Sequence, residues 1–253
     1  MKISRSIRIA SFASLAGLMS VTSACAEPQP APGSKAEVDA LIRAYILENP
    51  EIIEEALIQL RERERNTEQN QQATLIAENQ GRLIGNPADY SVGPEDAPIT
   101  VVEFFDYRCG YCKRSAGWTM ALPELFDNQV RVVFKEYPIL SPESEQAALA
   151  AIAAGFQGKY EQMHTALMQL DNATGFGPQQ IDAVAKSVGV DVLQMRADMQ
   201  TATVLAALDD SMRLGRDIGV SGTPNFIIGN QMVPGANRPA VEQLITEALA
   251  ELG

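Results

Sequence analysis

The chain has few of the residues that bind metals or cross-link small secreted domains: of its 253 residues, one is histidine, His164, and three are cysteine. Zinc sites with four Cys or His ligands, and dense disulfide frameworks, are therefore not expected within one chain. The chain also lacks an excess of positive charge, because 20 Lys and Arg stand against 32 Asp and Glu. General nucleic-acid binding is not expected either, since neutralising phosphates requires clustered cations.

The remaining composition is that of an ordinary globular protein, with 46% hydrophobic and 21% charged residues. This mixture excludes disordered, collagen-like and low-complexity chains. The length allows one or two domains, and the sequence contains no internal repeat.

The first 26 residues have the pattern of an export signal. Basic residues precede an apolar run at 9–21, which is shorter than the ~20 residues needed to span a bilayer. Ala24-Cys25-Ala26 follows, with the small-x-small pattern of a signal-peptidase site. We expect cleavage after Ala26 and a location outside the cytoplasm. Two other interpretations remain, a bacterial lipoprotein with Cys25 lipidated as its new N-terminus and a buried N-terminal helix.

A tether and a helical arm are predicted between the signal and the main domain. Residues 27–34 contain three prolines and a glycine, which oppose helix and favour an extended tether. Over 35–83 the apolar residues recur at helical spacing, with an interruption at Asn49-Pro50. The apolar stripe of the arm, residues 35–88, is too short to form a core of its own. The arm must pack on the main domain, on another chain, or on both, and is a possible oligomerisation element.

The rest of the chain, residues 89–253, has the pattern of an α/β domain. Apolar runs at 99–105 and 130–134 are typical of buried strands, and two short runs around a Gly-Asn turn predict a hairpin. A helix-rich block at about 141–217 separates these strands from the hairpin, and an amphipathic helix ends the chain. This order predicts an α/β domain with a helical insertion.

The most informative motif is Cys109-Gly110-Tyr111-Cys112, at the point where the strand at 99–105 ends and a helix is predicted to begin. This spacing brings two sulfurs within disulfide range and places the first thiol at a helix N-terminus, where unpaired N–H groups favour the thiolate. A low thiol pKa of Cys109 would make the disulfide more oxidising. The alternatives are a structural disulfide, half of a metal site, and Cu(I) binding by two thiolates.

Two further features support redox chemistry. Glu103 lies six residues before Cys109, and strand alternation is expected to point it inward beneath the motif, where burial would raise its pKa. Such a carboxyl group can exchange a proton with Cys112. Thr223-Pro224 directly precedes the predicted hairpin and fits a turn with a cis peptide bond.

Three other polar residues allow more than one interpretation. Lys135 could approach Glu103 and lower the pKa of that acid, or Lys135 and Glu136 could form a solvated strand end. His164, on an insertion helix, is expected to be a surface or packed side chain and not a ligand, because it has no companions.

In their order along the chain, Glu103-Phe-Phe, the Cys-Gly-Tyr-Cys motif and Thr223-Pro224 resemble the thioredoxin fold. The helical insertion between them resembles the DsbA-like branch of periplasmic thiol–disulfide oxidoreductases. The arm, with Tyr-Ile-Leu-Glu-Asn-Pro-Glu-Ile-Ile-Glu-Glu-Ala-Leu at 45–57, is similar to the N-terminal segment of ScsC-like and Com1-like members. The resemblance implies a thioredoxin fold with an inserted helical domain, preceded by a helical N-terminal arm, in a periplasmic protein.

The resemblance also implies roles for the residues of the motif. Cys109 is implied to be the attacking thiol and Cys112 the resolving thiol, the two forming a redox-active disulfide. Glu103 is implied to be the proton relay. Neither a cofactor nor a metal is implied.

A groove for substrate peptides is implied next to the sulfurs. It comprises the cis-proline loop, Thr223-Pro224, and the dipeptide between the cysteines, Gly110-Tyr111. Both pairs depart from the DsbA pattern, which has Pro-His in the motif and Val before the cis-proline, and both are more similar to disulfide isomerases of the DsbC type.

These implications together predict an exported thiol–disulfide oxidoreductase or isomerase. Its expected partners are unfolded or misoxidised proteins and a membrane redox partner. Because some ScsC-like relatives trimerise by these helices, the resemblance also implies a homotrimer formed through the arm. The alternatives are a monomeric DsbA-like oxidase, a copper-tolerance protein that binds Cu(I) through both thiols, and a holdase whose arm binds partners.

Overall fold

A computed structural model describes residues 33–173 and 175–252. The predicted signal segment with Cys25, and the predicted tether up to residue 32, lie outside the described residues. The chain divides into two compact units, Met1–Leu60 and Arg61–Gly253. Within the described ranges, no helix is long and apolar enough to cross a membrane.

The described part of the first unit is helical. Helix α1 spans Lys35–Glu48 and begins with a capping box, in which the Ser34 hydroxyl accepts from the Glu37 N–H and the Glu37 carboxylate accepts from the Ser34 N–H at 2.8 Å. Helix α2, Glu51–Glu78, begins after a two-residue break. None of the residues of α1 is buried, so this helix has no core of its own.

The described residues of the second unit contain five strands, β1 Tyr90–Val92, β2 Ile99–Phe105, β3 Val130–Glu136, β4 Asn225–Ile228 and β5 Gln231–Pro234. They form one mixed sheet in the order β1-β3-β2-β4-β5. Strands β2 and β3 pair in parallel, and the other neighbours pair antiparallel. These two central strands are buried on both faces, which is why their sequences are almost continuous apolar runs.

Helices cover both faces of this sheet. The insertion between β3 and β4 consists of α6 to α10, and α6 is buried along most of its length because alanines on nearly all sides let neighbouring helices approach closely. The helices after α2 are α3 Gln80–Ile84, α4 Gly110–Met120, α5 Leu122–Leu125, α6 Pro142–Gly155, α7 Tyr160–Gln169, α8 Pro178–Ser187, α9 Val192–Asp198, α10 Ala202–Asp217 and α11 Arg238–Ala250.

The alternation of side chains along β2 divides the core into two clusters. Phe105 belongs to the larger cluster, together with the buried residues of α6 and α7, whereas Phe104 belongs to a smaller cluster with Ile76 of α2 and Leu83 of α3. Glu103 shares the face of Phe105, because the two are separated by two positions. The strand therefore places this acid on the face that carries the two cysteines.

The structure confirms the predicted α/β fold with a helical insertion and an N-terminal helical region. Strand β2 matches its predicted bounds, and the hairpin of β4 and β5 forms around the predicted turn. Strand β3 extends two residues further than predicted, to Glu136. The sequence does not predict β1, because this three-residue strand is only partly buried and is held by its antiparallel pairing with β3.

The interpretation of Lys135 and Glu136 as a solvated strand end is wrong. Lys135 is fully buried, and its ammonium group donates to the carbonyl oxygen of Arg82 at 2.7 Å and pairs with the carboxylate of Asp89. This ammonium group is therefore engaged by Asp89 and not by Glu103. Burial makes both partners of such a pair dependent on each other, since an unpaired buried charge is costly.

Glu136 and His164 lie in a second buried polar cluster. The Glu136 carboxyl group accepts from the hydroxyls of Tyr107 at 2.9 Å and Tyr160 at 3.0 Å, and His164 Nδ1 lies 3.2 Å from the Tyr107 hydroxyl. Burial raises the pKa of Glu136 well above its usual value and lowers the pKa of His164 to about 3. His164 is thus a packed neutral side chain, one of the two predicted outcomes.

Leu83→Ala should lower the free energy of unfolding by about 2–5 kcal/mol, because the Leu83 side chain is fully buried and its removal leaves a cavity beneath the sheet. Ile84→Ala, one position further and 40% exposed, is the matched control and should cost well under half as much. Urea denaturation of both variants measures the difference. Equal losses would contradict the assignment of Leu83 to the core.

Candidate active site

The Cys-Gly-Tyr-Cys motif lies where β2 ends and α4 begins. Cys109 is the N-cap residue of α4, with an extended backbone (φ −71°, ψ 117°) that turns its sulfur toward the unpaired N–H groups of the first helical turn. The Cys112 N–H donates to this sulfur at 3.5 Å. Both cysteines are free thiols.

The surroundings of the Cys109 sulfur favour its thiolate form. The largest cause is a hydrogen bond from the Cys112 thiol; hydrogen bonds from the Thr223 side chain and from the N–H groups of Cys112 and Tyr111 act in the same direction, whereas burial opposes them. Together they lower the pKa of Cys109 from 9.0 to about 5. At neutral pH this sulfur is therefore a thiolate, the form that attacks disulfides. When protonated, it donates to the Thr223 carbonyl at 3.2 Å.

The second sulfur has the opposite character. Cys112 is fully buried, whereas Cys109 retains 8% of its accessible surface. Burial raises the pKa of Cys112 far above its ordinary value, and the hydrogen bond with Cys109 and the charge of Glu103 raise it further. The two thiols of the motif therefore differ in both accessibility and ionisation.

Glu103 is buried beneath the motif, as strand alternation predicts, with 1% of its surface exposed. Burial raises its pKa from 4.5 to about 8, a hydrogen bond from Ser115 lowers it, and the charge of Cys109 raises it. The Ser115 hydroxyl lies 3.2 Å from Glu103 Oε1 and 3.0 Å from the Cys112 carbonyl oxygen, so it connects the acid to the redox helix. The sequence analysis missed Ser115, although its position three residues after Cys112 on a predicted helix could have indicated it.

The cis-proline loop lies against the Cys109 sulfur. The Thr223–Pro224 peptide bond is cis, as the sequence predicts. Thr223 reaches Cys109 through its carbonyl group, and Pro224 is buried, with its own carbonyl accepting from the Gly235 N–H at 2.8 Å. Hydrogen bonds thus join Cys109, Cys112 and Thr223 directly.

The dipeptide between the cysteines is the exposed part of the site. Tyr111 is 60% exposed, and the guanidinium group of Arg114 lies over its ring at 4.0 Å. Gly110 is exposed as well. These two residues, which follow Cys109 in the chain, are therefore accessible to solvent.

A contact between α4 and the insertion is also missed by the sequence analysis. Lys113 Nζ donates to the carbonyl oxygens of Leu167, Met168 and Leu170 at the end of α7, at 3.2, 3.1 and 2.6 Å, and lies 4.9 Å from the Phe176 ring centre. Burial lowers its pKa to about 8. No local pattern could have indicated this, because its partners lie more than 50 residues away. Within the part of the chain that the structure describes, no group of three or more His, Cys, Asp or Glu side chains could hold a metal ion.

Glu103→Gln should make the reduced protein more stable than the wild type as the pH rises from 4.5 to 8. Because the folded pKa of Glu103 is about 8, the folded protein keeps a proton there that the unfolded chain releases near pH 4.5, and stability is lost through this window. The difference should reach on the order of 3–5 kcal/mol at pH 8. Urea unfolding at several pH values measures it, with the exposed Glu95→Gln as control. Parallel pH dependences in wild type and Glu103→Gln would contradict the raised pKa.

Comparison with known proteins places this geometry in a family. The model of the DSBA-like thioredoxin domain matches residues 100–245, and that of the copper resistance protein ScsC N-terminal domain matches residues 35–66. A thioredoxin-like oxidoreductase from Silicibacter pomeroyi DSS-3 is 36% identical, with a TM-score of 0.64 over 68% of this chain and 98% of that chain. A linker-deletion variant of Proteus mirabilis ScsC is 28% identical, with a TM-score of 0.62 over 88% of this chain and 100% of that chain.

Among curated proteins, a Na(+)/H(+) antiporter NhaA 1 from Salinispora arenicola is 33% identical over 168 residues, which are 64% of this chain and 25% of that protein. The chain spans about a quarter of the length of the curated relatives it matches. The family match over 100–245 covers more than half of the chain and the whole Cys-Gly-Tyr-Cys site. The chain therefore belongs to the DSBA-like thioredoxin domain family.

Proposed function

We propose that the protein is an exported thiol–disulfide oxidoreductase that rearranges the disulfides of extracytoplasmic proteins, with Cys109 as the attacking and Cys112 as the resolving thiol. The observation that carries this proposal is the difference between the two sulfurs. The pKa of Cys109 is lowered to about 5 at a partly accessible position, and Cys112 is buried with a raised pKa. Cys109 is thus a thiolate that can attack at neutral pH, whereas Cys112 stays a protonated thiol.

Isomerisation at this site requires no net transfer of electrons. The Cys109 thiolate attacks one sulfur of a substrate disulfide, a mixed disulfide forms, and the other substrate sulfur leaves as a thiolate. That thiolate, or another one of the substrate, then attacks a different disulfide of the substrate, so that a new disulfide forms and another substrate thiolate is released. Finally, a substrate thiolate attacks the mixed disulfide and releases the Cys109 thiolate. If Cys112 attacks the mixed disulfide instead, the substrate is reduced by two electrons, and the Cys109–Cys112 disulfide must be reduced by a partner, which we expect to be a membrane redox protein.

Glu103 is proposed to accept the proton of the Cys112 thiol and to return it. Before Cys112 can attack, its thiol must lose a proton, and the raised pKa of this thiol makes that loss slow without a base. Glu103 is the buried acid whose charge acts on Cys112, and its pKa of about 8 gives it both protonation states near neutral pH. The acid can therefore accept the proton in this step and return it in the reverse step.

Substrate peptides are proposed to bind across Thr223, Pro224 and the Gly110-Tyr111 dipeptide. Thr223 contacts the sulfur that forms the mixed disulfide. The Tyr111 ring remains 60% exposed although the Arg114 guanidinium group lies over it, and an exposed aromatic ring suits peptides of varied sequence.

Purified protein from residue 27 onward should reactivate scrambled ribonuclease in a glutathione buffer, because a stabilised Cys109 thiolate can form and release mixed disulfides. Cys109→Ser should abolish the activity. Cys112→Ser should retain part of it, because isomerisation by the first thiol alone does not need the second. Absence of reactivation by the wild type, or activity retained by Cys109→Ser, would contradict the isomerase proposal.

The N-terminal arm is proposed to join copies of the chain into a homotrimer. Helix α1 has no buried residue although it carries Leu41, Ile42 and Tyr45, each more than half exposed. An apolar stripe of this kind is stabilised when partner helices cover it. The match of residues 35–66 to the ScsC N-terminal domain supports the same role. An oligomer would hold several Cys109 sites near one substrate and raise the effective concentration of the thiolate.

The double variant Ile42→Glu/Tyr45→Glu should convert the oligomer into a monomer, because charges would replace the centre of the apolar stripe. Light scattering after size exclusion measures the mass of both proteins. Arg43→Glu, between the two positions and likewise exposed, is the matched control and should keep the oligomer. A monomeric wild type would contradict the trimer without affecting the chemistry of Cys109.

A periplasmic location is proposed from the export signal predicted at residues 1–26 together with membership of the family. Cu(I) binding through both thiols is less well supported by the geometry than redox chemistry. It would require both sulfurs to ionise, and Cys112 is fully buried with a strongly raised pKa.

A further inference from the structure

A buried carboxylate without an assigned role lies directly after β2. Asp106 is 1% exposed. Its Oδ1 accepts from the Arg108 N–H at 2.7 Å and from the Ser144 hydroxyl at 2.8 Å. Its Oδ2 accepts from the N–H groups of Ile139 and Leu140, both at 3.0 Å. Four donors thus converge on one carboxylate, which is what makes a buried carboxylate stable.

The four donors come from three separate segments. Arg108 belongs to the turn that leads from β2 to α4, Ile139 and Leu140 to the loop after β3, and Ser144 to the first turn of α6. Asp106 therefore fixes the turn before the redox helix to the loop after β3 and to the start of the insertion.

A second contact holds the same junction. Arg108 Nη1 donates to the Ser141 hydroxyl at 2.7 Å and to Glu143 Oε2 at 2.9 Å. Ser141 is the N-cap residue of α6. The Asp106 carboxylate and the Arg108 side chain thus both attach this turn to the beginning of the insertion.

The backbone of Asp106 touches both redox residues, although its side chain touches neither. Its carbonyl oxygen accepts from the Cys109 N–H at 3.0 Å. Its backbone also favours the thiolate of Cys112, because a backbone hydrogen bond of Asp106 acts to lower the pKa of that thiol. A shift of this backbone would therefore move Cys109 away from its N-cap position and alter the contact of Cys112 at the same time.

We propose that Asp106 is a positioning residue for thiol–disulfide exchange: its carboxylate fixes the turn 106–109, so that the Cys109 sulfur faces the N–H groups of α4 and the Thr223 carbonyl. This inference rests on the proposed function and deepens it. Asp106 positions the attacking sulfur without taking part in the reaction, whereas Glu103 accepts and returns the proton of Cys112.

Asp106→Asn distinguishes positioning from a simple charge effect, because the two act in opposite directions on Cys109. Removing a negative charge would favour the thiolate and lower the pKa of Cys109. Replacing an accepting oxygen by an NH2 group opposite N–H donors would release the turn, weaken the hydrogen bonds to the sulfur and raise this pKa. Positioning predicts a rise.

The experiment is titration of the thiolate by its ultraviolet absorbance in the reduced protein from residue 27 onward, which contains no third thiol. Relative to the wild type, Asp106→Asn should raise the pKa of Cys109 by about one unit, a roughly tenfold smaller thiolate fraction where the thiol predominates. Ser144→Ala, which removes one of the four donors, should raise it by less. Val241→Ala, a fully buried position on α11, lowers stability without touching this junction and should leave the pKa unchanged.

An unchanged or lowered pKa of Cys109 in Asp106→Asn would overturn the inference, and so would an equal rise in Val241→Ala. If Asp106→Asn does not fold, Ser144→Ala decides: a rise supports positioning, and no rise overturns it. A wild-type Cys109 that titrates near its ordinary value would overturn the proposed function as well, so the two failures are distinguishable.

Discussion

The hydrogen bonds that converge on the Cys109 sulfur are the interaction on which the rest of the site depends. The Cys112 thiol, the Thr223 side chain and two N–H groups of α4 all favour a negative charge at this one atom, and together they outweigh its partial burial. Because thiolate, not thiol, attacks disulfides, these contacts set both the reactivity of the reduced protein and the oxidising strength of the disulfide. In the proposed mechanism, Cys112, Glu103 and Asp106 act through their relation to this sulfur.

The central parallel strands β2 and β3 position the groups that surround the Cys109 sulfur. Strand β2 ends at Phe105, and the turn 106–108 leads from it to Cys109, the N-cap residue of α4. The alternation of side chains along β2 buries Glu103 on the face that carries the cysteines. Strand β3 ends beside β2, and the loop that follows β3 donates two N–H groups to Asp106. The antiparallel β4 lies on the other side of β2 and begins directly after the cis-proline loop, which delivers Thr223 to the sulfur. The ends of β2 and β4 thus lead to residues that contact the Cys109 sulfur, and the end of β3 leads to the loop that binds Asp106.

Much of this arrangement could be predicted from local patterns. The apolar run at 99–105, the Cys-x-x-Cys spacing, the inward position of Glu103 and the turn at Thr223-Pro224 each depend on a few neighbouring residues. The residues that the sequence did not reveal depend on distant partners. Lys135 is buried because Asp89 pairs with its ammonium group. Lys113 is partly buried because its ammonium group binds carbonyl groups at the end of α7, and Asp106 is buried because donors from three segments bind its carboxylate. A charged residue in a sequence carries no sign of such a partner, so a solvated position is the natural but wrong expectation.

Stabilisation of the Cys109 thiolate is expected to make the Cys109–Cys112 disulfide a good oxidant. The reduction potential of this disulfide, measured by equilibration with glutathione, tests that expectation. A pKa of Cys109 near 5 predicts a potential of about −200 mV or less negative, in the range of disulfide isomerases and oxidases. A potential of about −270 mV or more negative, like that of a reducing thioredoxin, would contradict the account.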